Sequence, residues 1–253
     1  MIVVDIGNSD AVFGVFDHRQ LTKTMRIATL KEADAHYFKE RFTNFLLEND
    51  LKPEVYQTIV WSSVVPELND AFDQFLKSLG PKELIKVTSN IHEKIKVLTE
   101  HPEQLGTDLY SNAVFAYLDC NSACLIIDFG TALTITAVTG KGEICGVSIA
   151  PGLKTAVDAL FGKTSQLPQV PLEIPKSVLG KNTVEAIQSG IMIGYEGMVR
   201  FMISAFKKEL GESAKVYATG GLSPRMINLH EVFDHIDINL TLKGLQLIGE
   251  DYK

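Results

Sequence analysis

The chain has 253 residues, of which 45% are hydrophobic and 22% charged, and its formal net charge is −7. That length suits one large or two medium domains, with apolar material enough for two cores. No Lys/Arg-rich block stands out, so nucleic acid is not the expected partner, and no apolar run is long enough to span a membrane.

The chain opens on an apolar run, Met1-Ile-Val-Val, that leads into Asp5-Ile6-Gly7-Asn8-Ser9 and then into a second apolar run over 11–16. The pattern predicts a buried strand, a tight turn and a second strand, with a third strand over 21–28. Residues 32–50 have helical spacing, with Phe38, Phe42, Phe45 and Leu46 on one face, read as core. A strand over 58–65 is stopped by Pro66. A helix over 68–79 and a short strand over 84–87 follow. Residues 98–106 are polar and turn-like, and a helix is expected from about Thr107 or Asp108 to Leu118.

The second half repeats the scheme. Cys124-Leu-Ile-Ile leads into Asp128-Phe129-Gly130-Thr131, then into an apolar run over 133–138. A third strand is expected over 143–149, and Pro151-Gly152-Leu153 opens a helix to about Leu160. Residues 161–179 hold Pro168, Pro171 and Pro175 and read as a surface loop or flap. A long helix is expected over 184–209 after Asn182-Thr183. Lys215–Thr219 reads as a strand ending in Gly220-Gly221, and 240–249 as a last helix. The two lobes expected from this repeat are residues 1–117 and 118–253, facing each other across a nucleotide cleft.

Each half therefore carries one Asp-x-Gly turn followed by a hydroxyl or amide residue. Glycine lets the backbone approach closely, so that amides and a hydroxyl can meet a phosphate. The Asp can hold a hydrated cation that a nucleotide phosphate shares. One such hairpin is common. Two copies in corresponding places point to phosphoryl transfer. A net negative chain that binds an anionic nucleotide must rely on local amides, helix N-termini and metal ions.

The three cysteines, Cys120, Cys124 and Cys145, have no extracellular pattern and read as reduced thiols in a cytoplasmic compartment. Cys120 and Cys124 have three residues between them, unlike a redox CxxC, and read as buried small hydrophobes. The six histidines have no metal-ligand spacing. The N-terminus enters a strand at once, without the basic region of a signal peptide.

The β-β-β-α-β-α order, repeated with a hairpin at each start, is that of actin-like (ribonuclease H-like) sugar kinases and chaperone ATPases. The expected class is α/β, with two duplicated lobes; order alone does not fix the reaction.

Across nearly its whole length the chain resembles the type III pantothenate kinases. The matching segments are Asp5-Ile-Gly-Asn-Ser9, Ser62-Ser-Val-Val-Pro66, Leu105-Gly-Thr-Asp108, Asp128-Phe-Gly-Thr-Ala132, Ile149-Ala-Pro-Gly-Leu153, Ser165-Gln-Leu-Pro168, Asn182-Thr-Val-Glu-Ala-Ile-Gln-Ser-Gly190, Gly194-Tyr-Glu-Gly197 and Ala218-Thr-Gly-Gly221. Their order and spacing together are specific. The resemblance implies ATP- and Mg²⁺-dependent phosphorylation of pantothenate, the first step of coenzyme A synthesis. It also implies a homodimer, whose partner completes the pantothenate pocket, and a requirement for potassium or ammonium.

By the same resemblance, Asp108 is the proposed base, and Asp5, Gly7, Asn8 and Ser9 form the first phosphate loop, with Asp5 also a metal ligand. Asp128 is the monovalent-cation ligand, while Gly130 and Thr131 contact ATP. Gly106, Thr107, Asp108, Leu109 and Thr183 lie on the substrate side. Read without the resemblance, Asp108 is a helix-starting Asp and Thr183 a plain helix cap.

Several positions depart from the family pattern. Leu109 stands where an Arg contacts pantothenate; losing a charge-assisted hydrogen bond costs about 1.5–3 kcal/mol. Thr99 replaces a pocket Tyr, and His101 replaces an Asn. Ser9 replaces a Thr but keeps the hydroxyl. Asp10 puts a negative charge beside a phosphate site, and Val147 stands in place of a Gly. These changes leave open a kinase acting on another small hydroxyl substrate, or a non-catalytic member of the same fold.

Overall fold

The computed structural model describes residues 1–52, 56–163, 170–211 and 213–252. They form two compact units. The first comprises Met1–Phe115 and Leu240–Lys253, the second Ala116–Asn239.

In the first unit, β1 (Ile2–Ile6), β2 (Asp10–Asp17) and β3 (Gln20–Ala28) form an antiparallel meander. On the other edge of β1, the strands β4 (Thr58–Ser63) and β5 (Glu83–Lys86) add in parallel, giving the order β3-β2-β1-β4-β5. Strand side chains alternate between faces. Ile2, Val4 and Ile6 join Ile59 and Trp61 on one face, against α1 (Ala35–Glu48) and α2 (Asn69–Ser78). Phe13, Phe38, Phe42, Phe72 and Phe75 interlock there, with Phe38 and Phe72 ring centroids 4.0 Å apart. The Asp34 side chain caps α1 by accepting the Tyr37 N–H.

Val3 and Val60 point to the opposite face. There α7 (Leu240–Asp251) packs on β1, β2 and β4. Close approach requires glycines: a Cβ on Gly249 would lie 2.5 Å from Val60, and one on Gly244 would collide with the carbonyl of Ser111 in α3 (Thr107–Cys120). α3 starts in the first unit and ends in the second. A two-residue strand, β6 (Lys96–Val97), precedes it.

In the second unit, β7 (Cys124–Phe129), β8 (Ala132–Val138) and β9 (Glu143–Pro151) repeat the antiparallel meander. β10 (Lys215–Thr219) and β11 (His235–Ile236) add in parallel beside β7. The order β9-β8-β7-β10-β11 thus reproduces β3-β2-β1-β4-β5, strand for strand and sense for sense. Leu125, Ile127, Phe129, Leu133 and Ile135 pack against α4 (Leu153–Lys163) and against Val199 and Ile203 of α6 (Gly194–Leu210).

The structure differs from expectation in three places. The helix predicted over 184–209 is α5 (Thr183–Gln188), a π turn (Ser189–Ile193) and then α6. There Ser189 Oγ donates to the Val178 carbonyl at 2.7 Å; π turns of this kind are uncommon. The short strands β6 and β11 were not expected, since two residues carry no readable period. And α7, last in the chain, belongs with the first unit, whereas the expected lobe boundary put it in the second. The flap expected over 161–179 lies partly outside the described residues, and the Ser165-Gln-Leu-Pro168 segment wholly so. No helix among the described residues is long and apolar enough to cross a membrane.

The Gly244–Ser111 approach gives a direct test. Gly244→Ala is expected to cost about 1–3 kcal/mol in urea unfolding, the usual penalty of overpacking. An unchanged midpoint would mean that α7 does not sit this close to α3.

Candidate functional site

Asp5 lies on β1, between Val12 of β2 and Ser62 of β4. Ser62 is fully buried, and its hydroxyl donates to Asp5 Oδ1 at 2.7 Å. The chain then turns: Gly7 N–H donates to Asp10 O at 2.9 Å, and a Cβ on Gly7 would lie 3.2 Å from that oxygen. Thr29, at the end of β3, ties the turn down. Its Oγ1 donates to Gly7 O at 2.6 Å, and its N–H donates to Ser9 O at 2.9 Å. Asn8 and Ser9 are left exposed at the tip. The turn is therefore held from beneath while its tip faces outward, as an anion-binding loop requires.

Beyond β4, Thr107 Oγ1 donates to the Ser63 carbonyl at 3.3 Å, so the start of α3 is tied to the strand end beside Asp5. Asp108 Oδ1 accepts the Leu109 N–H at 2.8 Å. A Cβ on Gly106 would collide with Asp108 Oδ1, so a larger residue there would push the carboxylate aside. Burial pushes the Asp108 carboxyl above the usual carboxylate range, against the lowering effect of the Leu109 and Asp108 backbone N–H groups. Asp5, the Gly7–Ser9 tip and Asp108 are thus carried by adjoining parts of one sheet and one helix start.

Asp128 occupies the matching place in the second unit, opposite Thr134 of β8 and Thr219 of β10. Gly130 N–H donates to Ala132 O at 3.1 Å. Three glycines crowd the turn. Gly220, at φ +85°, would place a Cβ 2.5 Å from Asp128 Oδ1; one on Gly152 would collide with Gly130 O, and one on Gly130 would sit 3.3 Å from Asp128 Oδ1. Thr131 O accepts from Thr155 Oγ1 at 2.6 Å and from Gly152 N at 3.0 Å. The motifs Ile149–Leu153 and 218–221 converge here by backbone approach. Thr134 Oγ1 is buried without a hydrogen-bond partner. An orphaned hydroxyl oxygen in register with a carboxylate, beside three glycines, supplies two oxygens of the hard type that a cation takes. The oxygens of Asp5 and Ser62 offer similar chemistry.

Thr183 stands apart, on the first residue of α5. Asn182 Oδ1 caps the helix by accepting Glu185 N–H at 2.9 Å, and Glu185 Oε2 accepts Lys181 N–H at 2.9 Å, a reciprocal cap. Thr183 itself is exposed. With Lys181, Gly180, Ile187 and Leu160 it lines an open hollow of about 600 Å³.

The departures resolve unevenly. Asp10 does not present an unpaired charge to the turn, because Arg26 Nη1 donates to its Oδ2 at 2.8 Å across β2–β3. Leu109 is buried, 8% exposed, and contributes to the core where an Arg would need a partner. Thr99 is half-buried and His101 exposed, with Nδ1 3.4 Å from Glu103 Oε1. Val147 is half-buried opposite Thr136. Sequence reasoning gave no role to Ser62, Thr29, Arg26, Gly152 or Gly220. The motifs around Ser62, Gly152 and Gly220 were visible, but nothing in them says which residue they approach.

These two matched turns, on two copies of one sheet order, define an actin-like α/β scaffold. The same fold occurs in MreB 5 of Spiroplasma citri bound to AMPPNP, with a TM-score of 0.53 at 11% identity over 98% of this chain and 95% of that one. It also occurs in a Baf family transcriptional activator from Campylobacter jejuni, with a TM-score of 0.58 at 20% identity over 98% and 96%. Residues 1–205 match the family model of type III pantothenate kinases. A curated type III pantothenate kinase of Desulfatibacillum aliphaticivorans is 35% identical over 249 residues, 98% of this chain and 97% of that protein. The chain belongs to the type III pantothenate kinase family.

If Arg26 neutralises Asp10 beside a phosphate loop, Arg26→Ala is expected to weaken ATP binding about two- to fivefold at low salt, the scale of an exposed pair. The loss shrinks at high salt, and Asp10→Asn on the same background restores affinity. Calorimetric titration reads all three; equal affinity in parent and Arg26→Ala would remove Asp10 from the phosphate site.

Proposed function

We propose that this chain transfers the γ-phosphoryl group of ATP to the primary hydroxyl of pantothenate, giving 4'-phosphopantothenate, the first step of coenzyme A synthesis. The observation that carries the reading is family membership over nearly the whole chain. The geometry of Asp108 supports it. Phosphoryl transfer needs positioning, charge neutralisation and a group that takes the hydroxyl proton. Asp108 Oδ1 is engaged by the Leu109 amide, which leaves Oδ2 to accept that proton. A carboxyl raised by burial is a better proton acceptor than an exposed Asp.

In this reading, Gly7, Asn8, Ser9, Gly130 and Thr131 hold the nucleotide phosphates through amides and hydroxyls. Asp5 holds Mg²⁺, which would neutralise phosphate charge. Asp128 holds a potassium or ammonium ion, with Thr134 as the neighbouring oxygen. Gly106, Thr107 and Thr183 lie on the substrate side. We also read the chain as a cytoplasmic homodimer. Its three free cysteines support a reducing compartment. Val178, Leu179 and Phe201 are exposed apolar side chains of the second unit, which a dimer contact would cover. Sedimentation at twice the chain mass is the expected outcome; a monomer at micromolar concentration would remove the dimer.

One observation favours a second reading, a different small hydroxyl acceptor. Leu109 is buried and Thr99 is short, so two family contacts to pantothenate are missing.

ADP release by purified protein, with ATP, Mg²⁺ and potassium, is expected to require pantothenate and to fall when potassium is replaced by a large organic cation. Release indifferent to pantothenate would overturn the assignment. Asp108→Asn is expected to abolish release. The same substitution is expected to raise stability at neutral pH. The parent's buried carboxyl is stabilising while protonated, and that contribution is lost as pH rises through its raised folded value. The stability gain of Asp108→Asn therefore grows with pH across that range, and the parent's turnover rises across the same range. Activity surviving in Asp108→Asn would show that Asp108 is not the base.

A further inference from the structure

Tyr110 follows Asp108 by two residues and is fully buried. Its hydroxyl accepts the backbone N–H of His92 at 3.0 Å and faces the carbonyls of His92 and Ile95, each at 3.4 Å. Burial pushes the phenol up to about 12, so it keeps its proton to donate. The His92 side chain is 1% exposed. Its Nδ1 accepts the Lys94 N–H at 3.3 Å, which assigns the ring proton to Nε2. Nε2 then donates to Asp251 Oδ2 at 3.0 Å. Asp251 is the last residue of α7, so a line of hydrogen bonds runs from the final helix of the chain, through the turn at 92–95, to α3.

The first turn of α3 is held from the other side as well. Thr107 Oγ1 binds the Ser63 carbonyl, and Ser111 Oγ donates to Thr107 O at 2.7 Å. Asp108 stands between the two anchors, Thr107 and Tyr110, within one helical turn. A Phe at 110 would fill the same space without burying a hydroxyl, so packing alone does not account for the Tyr. Nor does packing call for a His at 92 with both ring nitrogens satisfied.

We propose that Tyr110, His92 and Asp251 are positioning residues for Asp108, a relay that fixes the first turn of α3 and so the aim of its carboxylate. This rests on the reading of Asp108 as the base. None of the three touches a reacting atom. They act by preventing the turn from rotating or fraying, and small misplacements of a reacting group cost large factors in rate.

The test compares Tyr110→Phe, Asp251→Ala and Asp251→Asn with the parent, well below their thermal midpoints. Tyr110→Phe and Asp251→Ala are expected to lower kcat about tenfold or more while leaving KM for ATP nearly unchanged. Asp251→Asn is expected to recover most of kcat, because an amide oxygen still accepts from His92 Nε2. A purely structural role would lower the midpoint and leave the kcat of folded protein alone. Amide hydrogen exchange at residues 109–111, measured on the same variants without substrate, is expected to accelerate in the first two and not in the third. Parent-like kcat and exchange in Tyr110→Phe would overturn the proposal, as would equal losses in Asp251→Asn and Asp251→Ala. Should the parent lack pantothenate-dependent turnover, the reading of Asp108 fails, and the exchange data decide the relay by themselves: acceleration supports it and unchanged exchange overturns it.

Discussion

Each Asp-x-Gly turn in this chain starts from a carboxylate on a strand paired along both edges. Asp5 is held between β2 and β4, and Asp128 between β8 and β10. A strand so paired cannot slip by one residue without turning its whole apolar face to the wrong side. That register fixes each carboxylate to the face opposite its unit's aromatic or aliphatic core. The turn that follows then has little freedom, and the glycines absorb what remains. Gly7 and Gly106 do this in the first unit; Gly130, Gly152 and Gly220 do it in the second. The sites are thus products of sheet register and close backbone approach more than of side-chain networks.

The same logic explains how an acidic chain can hold a polyanion. Neither turn contains a Lys or Arg. In the proposed reading, amides at the turns, hydroxyls at their tips and bound cations would provide the positive potential. Asp10 would work against this, and the chain answers it locally with Arg26. Asp108 follows the opposite principle. As the proposed base, it would owe its basicity to a costly environment, a carboxyl partly withdrawn from water, at the expense of stability.

Much of this was legible in the amino acids. The duplicated Asp-x-Gly hairpins, the Phe38-Phe42-Phe45 face and the start of α3 at Thr107 follow from period and turn chemistry, and the sheets match them. The contacts that complete the sites were not legible. Ser62 reaches Asp5 from 57 residues away, and Gly220 approaches Asp128 across a parallel strand pair. Parallel pairing joins segments far apart in sequence, and no local pattern announces its partner. The assignment of α7 failed for a similar reason: its apolar face is plain, but the sheet it covers is set by glycines at 244 and 249. The π turn at 189–193 was hidden because a helical period survives one inserted residue. Leu109 was legible as a missing Arg and illegible as a buried core residue.

Pantothenate as acceptor is the claim on which the rest turns, since Leu109 and Thr99 remove two expected contacts. The most direct measurement is mass spectrometry of pantothenate incubated with the purified protein, ATP, Mg²⁺ and potassium. Formation of pantothenate carrying one added phosphoryl group, stoichiometric with ADP, is the expected result. ATP turnover with pantothenate recovered unchanged would contradict it and assign the phosphoryl group to another acceptor.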